Sequence, residues 1–197
     1  MESKRLPRIF YLSPALELAP KLLGKLLRFE SPLGTLSGII TEVEAYQGLD
    51  DPASHASRGE TPRTKVMFGE GGFSYLYFIY GMYWCLNIVT GRKREPSAVL
   101  IRAVYPVEGI EQMQVNRQVK DRKNLTNGPG KLCSAFGLNR SHNGLDLTTS
   151  KLGLFDVNMT LPYTSTTRVG ITKAIEKPWR FLADEACLKV HLPLQLG

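Results

Sequence analysis

The sequence predicts an α+β fold: a curved, mainly antiparallel β-sheet flanked by short helices, with one aromatic β-hairpin protruding from it. Three observations point there. Strand-like runs recur along the chain and are broken by Gly/Pro turn signals. Most connections between them are too short for the helical crossovers that parallel strands require. The 197 residues, 43% of them apolar, contain no internal repeat, low-complexity tract or long linker, so a single domain spanning 1–197 is expected.

Taken in order, Ser13-Pro14 reads as an N-cap followed by a first-turn proline, opening a short helix over Ala15 to Leu23 that Gly24 ends. Strands over Lys25 to Phe29 and Leu36 to Val43 flank the turn Ser31-Pro32-Leu33-Gly34. A polar loop covers Leu49 to Gly59, and Thr61-Pro62 starts a helical turn reaching Phe68, broken by Gly69-Glu70-Gly71-Gly72. Strands Phe73 to Ile79 and Tyr83 to Thr90 meet at Tyr80-Gly81-Met82. After the basic turn Gly91 to Pro96, Ser97 to Tyr105 is the most strand-like run in the chain, and Pro106 is expected to end it. Val107 to Val119 reads as helical, Leu125 to Gly130 as a loop, and Lys131 to Phe136 as a short helix. Residues 139–166 read as irregular, with Thr167 to Ala174 and Trp179 to Ala183 as closing strands.

Bulk properties narrow the function. No apolar run approaches the ~20 residues that span a bilayer, and the basic N-terminus has no apolar segment behind it, unlike a signal peptide. Cys85, Cys133 and Cys187 are scattered in apolar surroundings and read as buried thiols in a reducing compartment, neither a disulfide set nor a zinc site. A net charge of +7 suits nucleic acid, acidic lipid or acidic protein, and charge alone does not choose among them.

The choice comes from rings. Four of the eight tyrosines (Tyr75, Tyr77, Tyr80, Tyr83) fall between Ser74 and Asn87, with Phe78 and Trp84 among them. Flat rings with polar edges in a basic chain suit the sandwiching of nucleobases. Around them lie single residues with two readings each. Glu42, Glu44 and Tyr46 alternate along one strand and share a face, either a wet edge or a site where a carboxylate activates water. His55 either caps a loop carbonyl or belongs to a site; partners at metal-ligand spacing are lacking, and no metal or cofactor is expected. Arg102, the one charge in Ala98 to Val104, either faces water at an edge or pairs with a carboxylate and a phosphate. Asn127-Gly128-Pro129-Gly130-Lys131-Leu132 lacks the Walker pattern, yet backbone amides beside Lys131 could hold one phosphate. Arg92, Lys93 and Arg94 form either a solvated turn or a backbone contact.

Six blocks, in order and at matching spacing, resemble the alkyladenine (3-methyladenine) DNA glycosylases: Glu42 to Gly48, Asp51 to His55, Thr61 to Arg63 with Val66 to Gly69, Tyr75 to Asn87, Ala98 to Ala103, and Gly128 to Cys133. The resemblance implies an enzyme of base excision repair that flips damaged purines out of double-stranded DNA and hydrolyses the N-glycosidic bond. By position, it implies that Glu44 activates the water and Arg102 holds Glu44 and a phosphate. Tyr46, His55 and Tyr77, with Ala53 and Leu100, would wall the base pocket, and Asn87 would lie beneath it. Tyr80 and Met82 would intercalate, while Thr61, Arg63, Gly130 and Lys131 would meet the DNA backbone. Glu60 and Thr64 depart from the Arg and Asn of many relatives, which lowers the positive charge beside Arg63. A monomer is expected, with no membrane association, in the cytoplasm or nucleoid of a bacterium or the nucleus of a eukaryote.

Overall fold

The computed structural model describes residues 3–184 and 186–188; the rest of the expected span 1–197 lies outside it, including the first two residues of the basic N-terminus. Its nine strands form one sheet: β1 (Lys4–Arg5), β2 (Leu26–Ser31), β3 (Gly34–Tyr46), β4 (Ser74–Ile79), β5 (Tyr83–Thr90), β6 (Ser97–Glu108), β7 (Leu152–Asp156), β8 (Tyr163–Thr166) and β9 (Arg180–Ala183). The order is β1-β7-β2-β3-β6-β5-β4, with β9 pairing both β3 and β8, and every pairing is antiparallel. Short helices accompany it: α1 (Ala15–Leu22), α2 (Ile110–Arg117), α3 (Pro129–Ala135) and a helical turn at 186–188. The α+β reading holds.

The organising element is β3. Its first half pairs β2 through the turn at Pro32-Leu33, its second half pairs β9, and β6 runs along its other side throughout. Register shifts around Thr41, between Ile40 and Glu42 and again before Val43, bend the ladder just before Glu44. Buried Ala15, Leu18, Ala19 and Leu22 recur at helical spacing on α1 and join the main core. A smaller cluster of Ala56, Met67, Tyr75, Val89 and Ala98 anchors the root of the β4–β5 hairpin to the 55–68 segment.

Several boundaries differ from those the sequence suggests. Pro14 itself occupies the N-cap of α1, with no side-chain cap, so Ser13 does not cap it. Pro106 does not end β6. It falls opposite Gly38 at a register shift, where a side chain on Gly38 would lie 2.8 Å from the Tyr105 carbonyl. The strand therefore runs to Glu108, and α2 is correspondingly short. Strands β7 and β8 lie within the stretch expected to be irregular. Thr167 to Ala174 is not a strand: beyond the last residue of β8 it is an open loop. Cys85 and Cys133 are buried thiols, as expected, whereas Cys187, expected to be buried with them, is half-buried. No described helix is long and apolar enough to cross a membrane.

Candidate active site

Glu44 has no exposed side-chain surface, which settles the wet-edge alternative against it. An unpaired carboxylate at such depth would be costly, and two hydrogen-bond donors and one cation surround this one. The Tyr46 hydroxyl donates to Oε2 at 2.9 Å, the Val169 backbone N–H donates to Oε1 at 2.8 Å, and Arg102 Nη1 lies 3.3 Å from Oε1. Burial pushes the Glu44 carboxyl above the usual carboxylate range. Arg102, Val169 and Tyr46 pull it back without cancelling that effect, and Glu42 adds to the rise.

Arg102 is shared rather than dedicated. Its Nε donates to Glu42 Oε1 at 2.7 Å, and Arg180 Nη1 approaches the same oxygen at 3.6 Å. Arg102 is thus an inward, paired arginine and not a solvated edge residue.

In front of this cluster opens a cleft of about 670 Å³, within the ~300–1,000 Å³ usual for small-ligand sites. Tyr46, Ala53, His55, Thr61, Arg63, Tyr77, Tyr80, Asn87, Leu100, Arg102 and Gly130 line it, so eleven residues singled out from the sequence converge. Glu44 lies behind Tyr46 and Val169. Met82 stands outside the lining at the hairpin tip, and Lys131 stands outside it with its ammonium on Asn127 Oδ1 at 2.8 Å. Among the described residues no three of His, Cys, Asp and Glu are placed to hold a metal ion.

The walls are built from strand alternation and turns. His55 begins the 3₁₀ turn His55–Arg58, whose N-cap Ser54 accepts from the Ala56 N–H. Its ring packs edge-on to Tyr77 with centroids 4.5 Å apart, and Nδ1 lies 3.0 Å from the Tyr75 hydroxyl. Burial of the ring, then nearby Arg63, pushes His55 down to about 4. The residue stands exposed at the cleft mouth, where water screens that effect, and the imidazole is neutral at pH 7. Burial and the adjoining carboxylate push the Tyr46 phenol up, so it remains a donor. Asn87 is buried and donates to the Tyr75 carbonyl at 3.1 Å.

The hairpin tip differs from its root. Tyr80 is 75% exposed and Met82 63%. Tyr80 and Gly81 both take left-handed φ angles (54° and 66°), and the Met82 N–H closes the reversal on the Ile79 carbonyl at 3.2 Å. Such a φ is strained for a tyrosine. Gly130 makes a close approach: a Cβ there would sit 2.9 Å from the Tyr83 ring. Arg63 covers the Tyr77 ring at 5.5 Å and nears His55 Nε2 at 3.4 Å. Thr64 turns inward. It is buried, donates to the Gly59 carbonyl at 3.2 Å and accepts from the Thr61 N–H at 2.9 Å, whereas Glu60 is exposed.

Sequence reasoning missed two contributors: the loop 169–173 that borders the cleft, and the buried pair of Arg168 with Asp51. The pair had a signal. A lone arginine in a β-branched run singled out Arg102, and Thr167-Arg168-Val169-Gly170-Ile171-Thr172 has the same character.

A profile of the methylpurine-DNA glycosylase (MPG) family matches residues 9–187. The chain belongs to this family. Among similar proteins, one from Wolbachia sp. subsp. Brugia malayi (strain TRS) is 50% identical over 182 residues, covering 92% of this chain and 98% of the relative. One from Wolbachia pipientis wMel is 47% identical over 195 residues, with 98% and 99% covered. One from Rickettsia prowazekii (strain Madrid E) is 42% identical over 210 residues, with 91% and 95% covered. All three carry 3-methyladenine DNA glycosylase as a provisional name. The chain is accordingly a DNA glycosylase for alkylated bases, a hydrolase of DNA repair whose substrate is DNA.

Proposed function

We propose that this glycosylase is monofunctional. In this reading it extrudes alkylated or deaminated purines from duplex DNA, among them 3-methyladenine, 7-methylguanine, hypoxanthine and ethenoadenine. It then hydrolyses the N-glycosidic bond with a water activated by Glu44, leaving an abasic site. One observation carries the reading: a fully buried carboxylate, held by two hydrogen bonds and an ion pair, lies directly behind a cleft walled by tyrosines. A carboxylate offers about four lone-pair sites. Two hydrogen bonds and one ion pair leave lone pairs open to a water that enters from the cleft.

The steps follow from physical chemistry. A base inside the stack is out of reach, and rotating it out costs a few kcal/mol, least at a damaged pair. Tyr80, exposed and fixed by its turn, fills the gap it leaves. Stacking on Tyr46 and Tyr77 returns about 1–3 kcal/mol per base. A methylated purine carries positive charge, which favours electron-rich rings. Neutral His55 does not oppose it. As the glycosidic bond lengthens, the sugar becomes oxocarbenium-like; Glu44 stabilises that charge and directs the water. Asn87, fixed beneath the pocket, occupies the space that the 2-amino group of normal guanine would need. Thr61, Arg63, Gly130 and Lys131 lie toward the DNA backbone, and the enzyme acts as a monomer.

The test is base release from duplexes carrying each of these lesions against an undamaged control. Release of free damaged purine, with an intact abasic strand, supports the reading; equal handling of damaged and undamaged duplexes would remove it. One observation favours a lyase alternative: Lys173 borders the cleft, though on its exposed outer lip. A covalent DNA adduct trapped by borohydride would establish that Schiff-base route.

A further inference from the structure

A second arginine–carboxylate pair lies beside the site and takes no part in the steps above. Arg168 and Asp51 are both completely buried, 117 residues apart in sequence. Arg168 Nη2 donates to Asp51 Oδ1 at 2.9 Å, and Nη1 donates to Oδ2, giving a two-pronged contact. The guanidinium lies between two rings, 4.7 Å from the Tyr46 centroid and 4.9 Å from that of Trp179. Its Nη1 also donates to the Ala45 carbonyl at 3.0 Å, while the Ala45 N–H donates to the Trp179 carbonyl at 2.8 Å.

Each partner of this pair leads to a different wall of the site. Ala45 is the residue between Glu44 and Tyr46. Tyr46 is one stacking wall, and its hydroxyl holds Glu44. Asp51 accepts from the Ala53 N–H at 3.1 Å and the Gln47 N–H at 3.3 Å, fixing the loop that delivers Ala53 and His55. Arg168 is followed directly by Val169, whose N–H holds Glu44 from the other side.

Stability alone does not account for such an arrangement. Fully burying two charges carries a desolvation cost, and apolar replacements of similar volume are often as stable or more so. Arg168 Nε finds no hydrogen-bond partner among the described residues, a further cost. We propose that Arg168 and Asp51 are positioning residues of the glycosylase reaction: a sealed clamp that sets the Tyr46 ring and the Val169 N–H on either side of the Glu44 carboxylate. The proposal rests on Glu44 being the base.

The clamp predicts a specific kinetic signature. Lysine at position 168 keeps the charge and loses the fork and the flat face. Once Val169 and Tyr46 are misaimed, two donors that lower the Glu44 pKa are weakened. The other groups acting on Glu44 stay in place: Arg102 from β6 and Glu42 from its own strand, with Tyr77 and Cys85 coupled to it from β4 and β5. The acidic limb of the rate profile therefore moves to higher pH.

The experiment measures single-turnover hypoxanthine release, with enzyme in excess, for Arg168→Lys, Asp51→Asn and Glu44→Gln across pH. Affinity for a duplex carrying a tetrahydrofuran abasic analogue is measured alongside, with thermal unfolding as the check on folding. For Arg168→Lys and Asp51→Asn the expected result is a rate about 10- to 100-fold lower. The limb shifts upward, and affinity for the base-free duplex stays within about threefold. A lower melting temperature with the rate of the folded enzyme and the limb both unchanged would reduce the pair to a structural role and overturn the clamp. An inactive Glu44→Gln beside wild-type Arg168→Lys overturns the clamp alone; near wild-type release by Glu44→Gln overturns the reading of Glu44 and the clamp together.

Discussion

Two arginines are drawn into this molecule by carboxylates, and they are treated differently. Arg168 meets one carboxylate, Asp51, in a two-pronged pair with no exposed side-chain surface. Arg102 is divided between Glu42 at 2.7 Å and Glu44 at 3.3 Å, and it borders the cleft. The sealed pair spends its hydrogen bonds holding loops and a ring. The divided one leaves Glu44 only partly compensated, so burial still dominates and the carboxyl stays above its usual range. An incompletely satisfied carboxylate beside a cleft is positioned for proton chemistry, whereas a fully satisfied one acts as a fastener.

Breaking the divided cluster at its centre has the largest expected effect. Glu44→Gln should lower single-turnover base release by about 10³-fold or more, with damaged-DNA binding retained. Release near the wild-type rate would dissolve the contrast between the two pairs. The same change should stabilise the fold at neutral pH. Because the folded pKa of Glu44 is raised, protonation favours the native state. That contribution is fully present below the ordinary carboxylate range and is lost as pH rises through the folded value. Ionised Glu44 thus costs stability at pH 7, and the glutamine variant should melt higher there, with the gap closing in acid. Next in size is Arg102→Gln, expected to cost about 100-fold at pH 7. With its counter-charge gone, the Glu44 pKa rises further and the acidic limb moves up; an unmoved limb would mean that Arg102 does not act through Glu44.

How much of this contrast the sequence contained depends on the range of the interactions. Strand alternation puts Glu44 and Tyr46 on one face, and a lone arginine marks Arg102, but the pattern leaves a wet edge open for each; the resemblance of six ordered blocks is what joins them in one site. The aromatic hairpin was legible because its turn residues are local. The Arg168–Asp51 pair was not, because nothing near either residue names the other. The loop around Arg168 also reads as a strand from its β-branched residues, yet its backbone is directed by Glu44 and Asp51 instead. Strands β7 and β8 are only five and four residues long, so their local pattern is weak; β7 holds its place between the distant β1 and β2, and β8 by pairing β9. Pro106 misled for a related reason: the glycine that tolerates it lies on another strand.

A change at the hairpin tip tests whether the chemistry is separable from extrusion. Tyr80→Ala removes an exposed wedge that makes no hydrogen bond or ion pair with Glu42 or Glu44, so the pH limbs should stay where they are. Extrusion, followed with a fluorescent base analogue, should weaken by about tenfold, as expected from losing roughly 1–3 kcal/mol of stacking. A shifted limb would show that the tip and the Glu44 cluster are coupled.

The smallest expected effect makes the sharpest comparison. Glu42→Gln would convert the divided cluster toward the sealed one. It removes a neighbouring negative charge that raises Glu44 and leaves Arg102 attracted mainly to Glu44. Both changes lower the Glu44 pKa, so the acidic limb should move to lower pH, opposite to Arg102→Gln and Arg168→Lys. Arg180, which loses its 3.6 Å partner, has 22% of its side-chain surface exposed and keeps water as a substitute. A better-compensated carboxylate is a weaker base, so the rate on the neutral plateau should fall slightly, by less than about threefold. If the limb instead rises or stays fixed, Arg102 is not divided between the two glutamates in solution, and the contrast between the two arginines loses its physical cause.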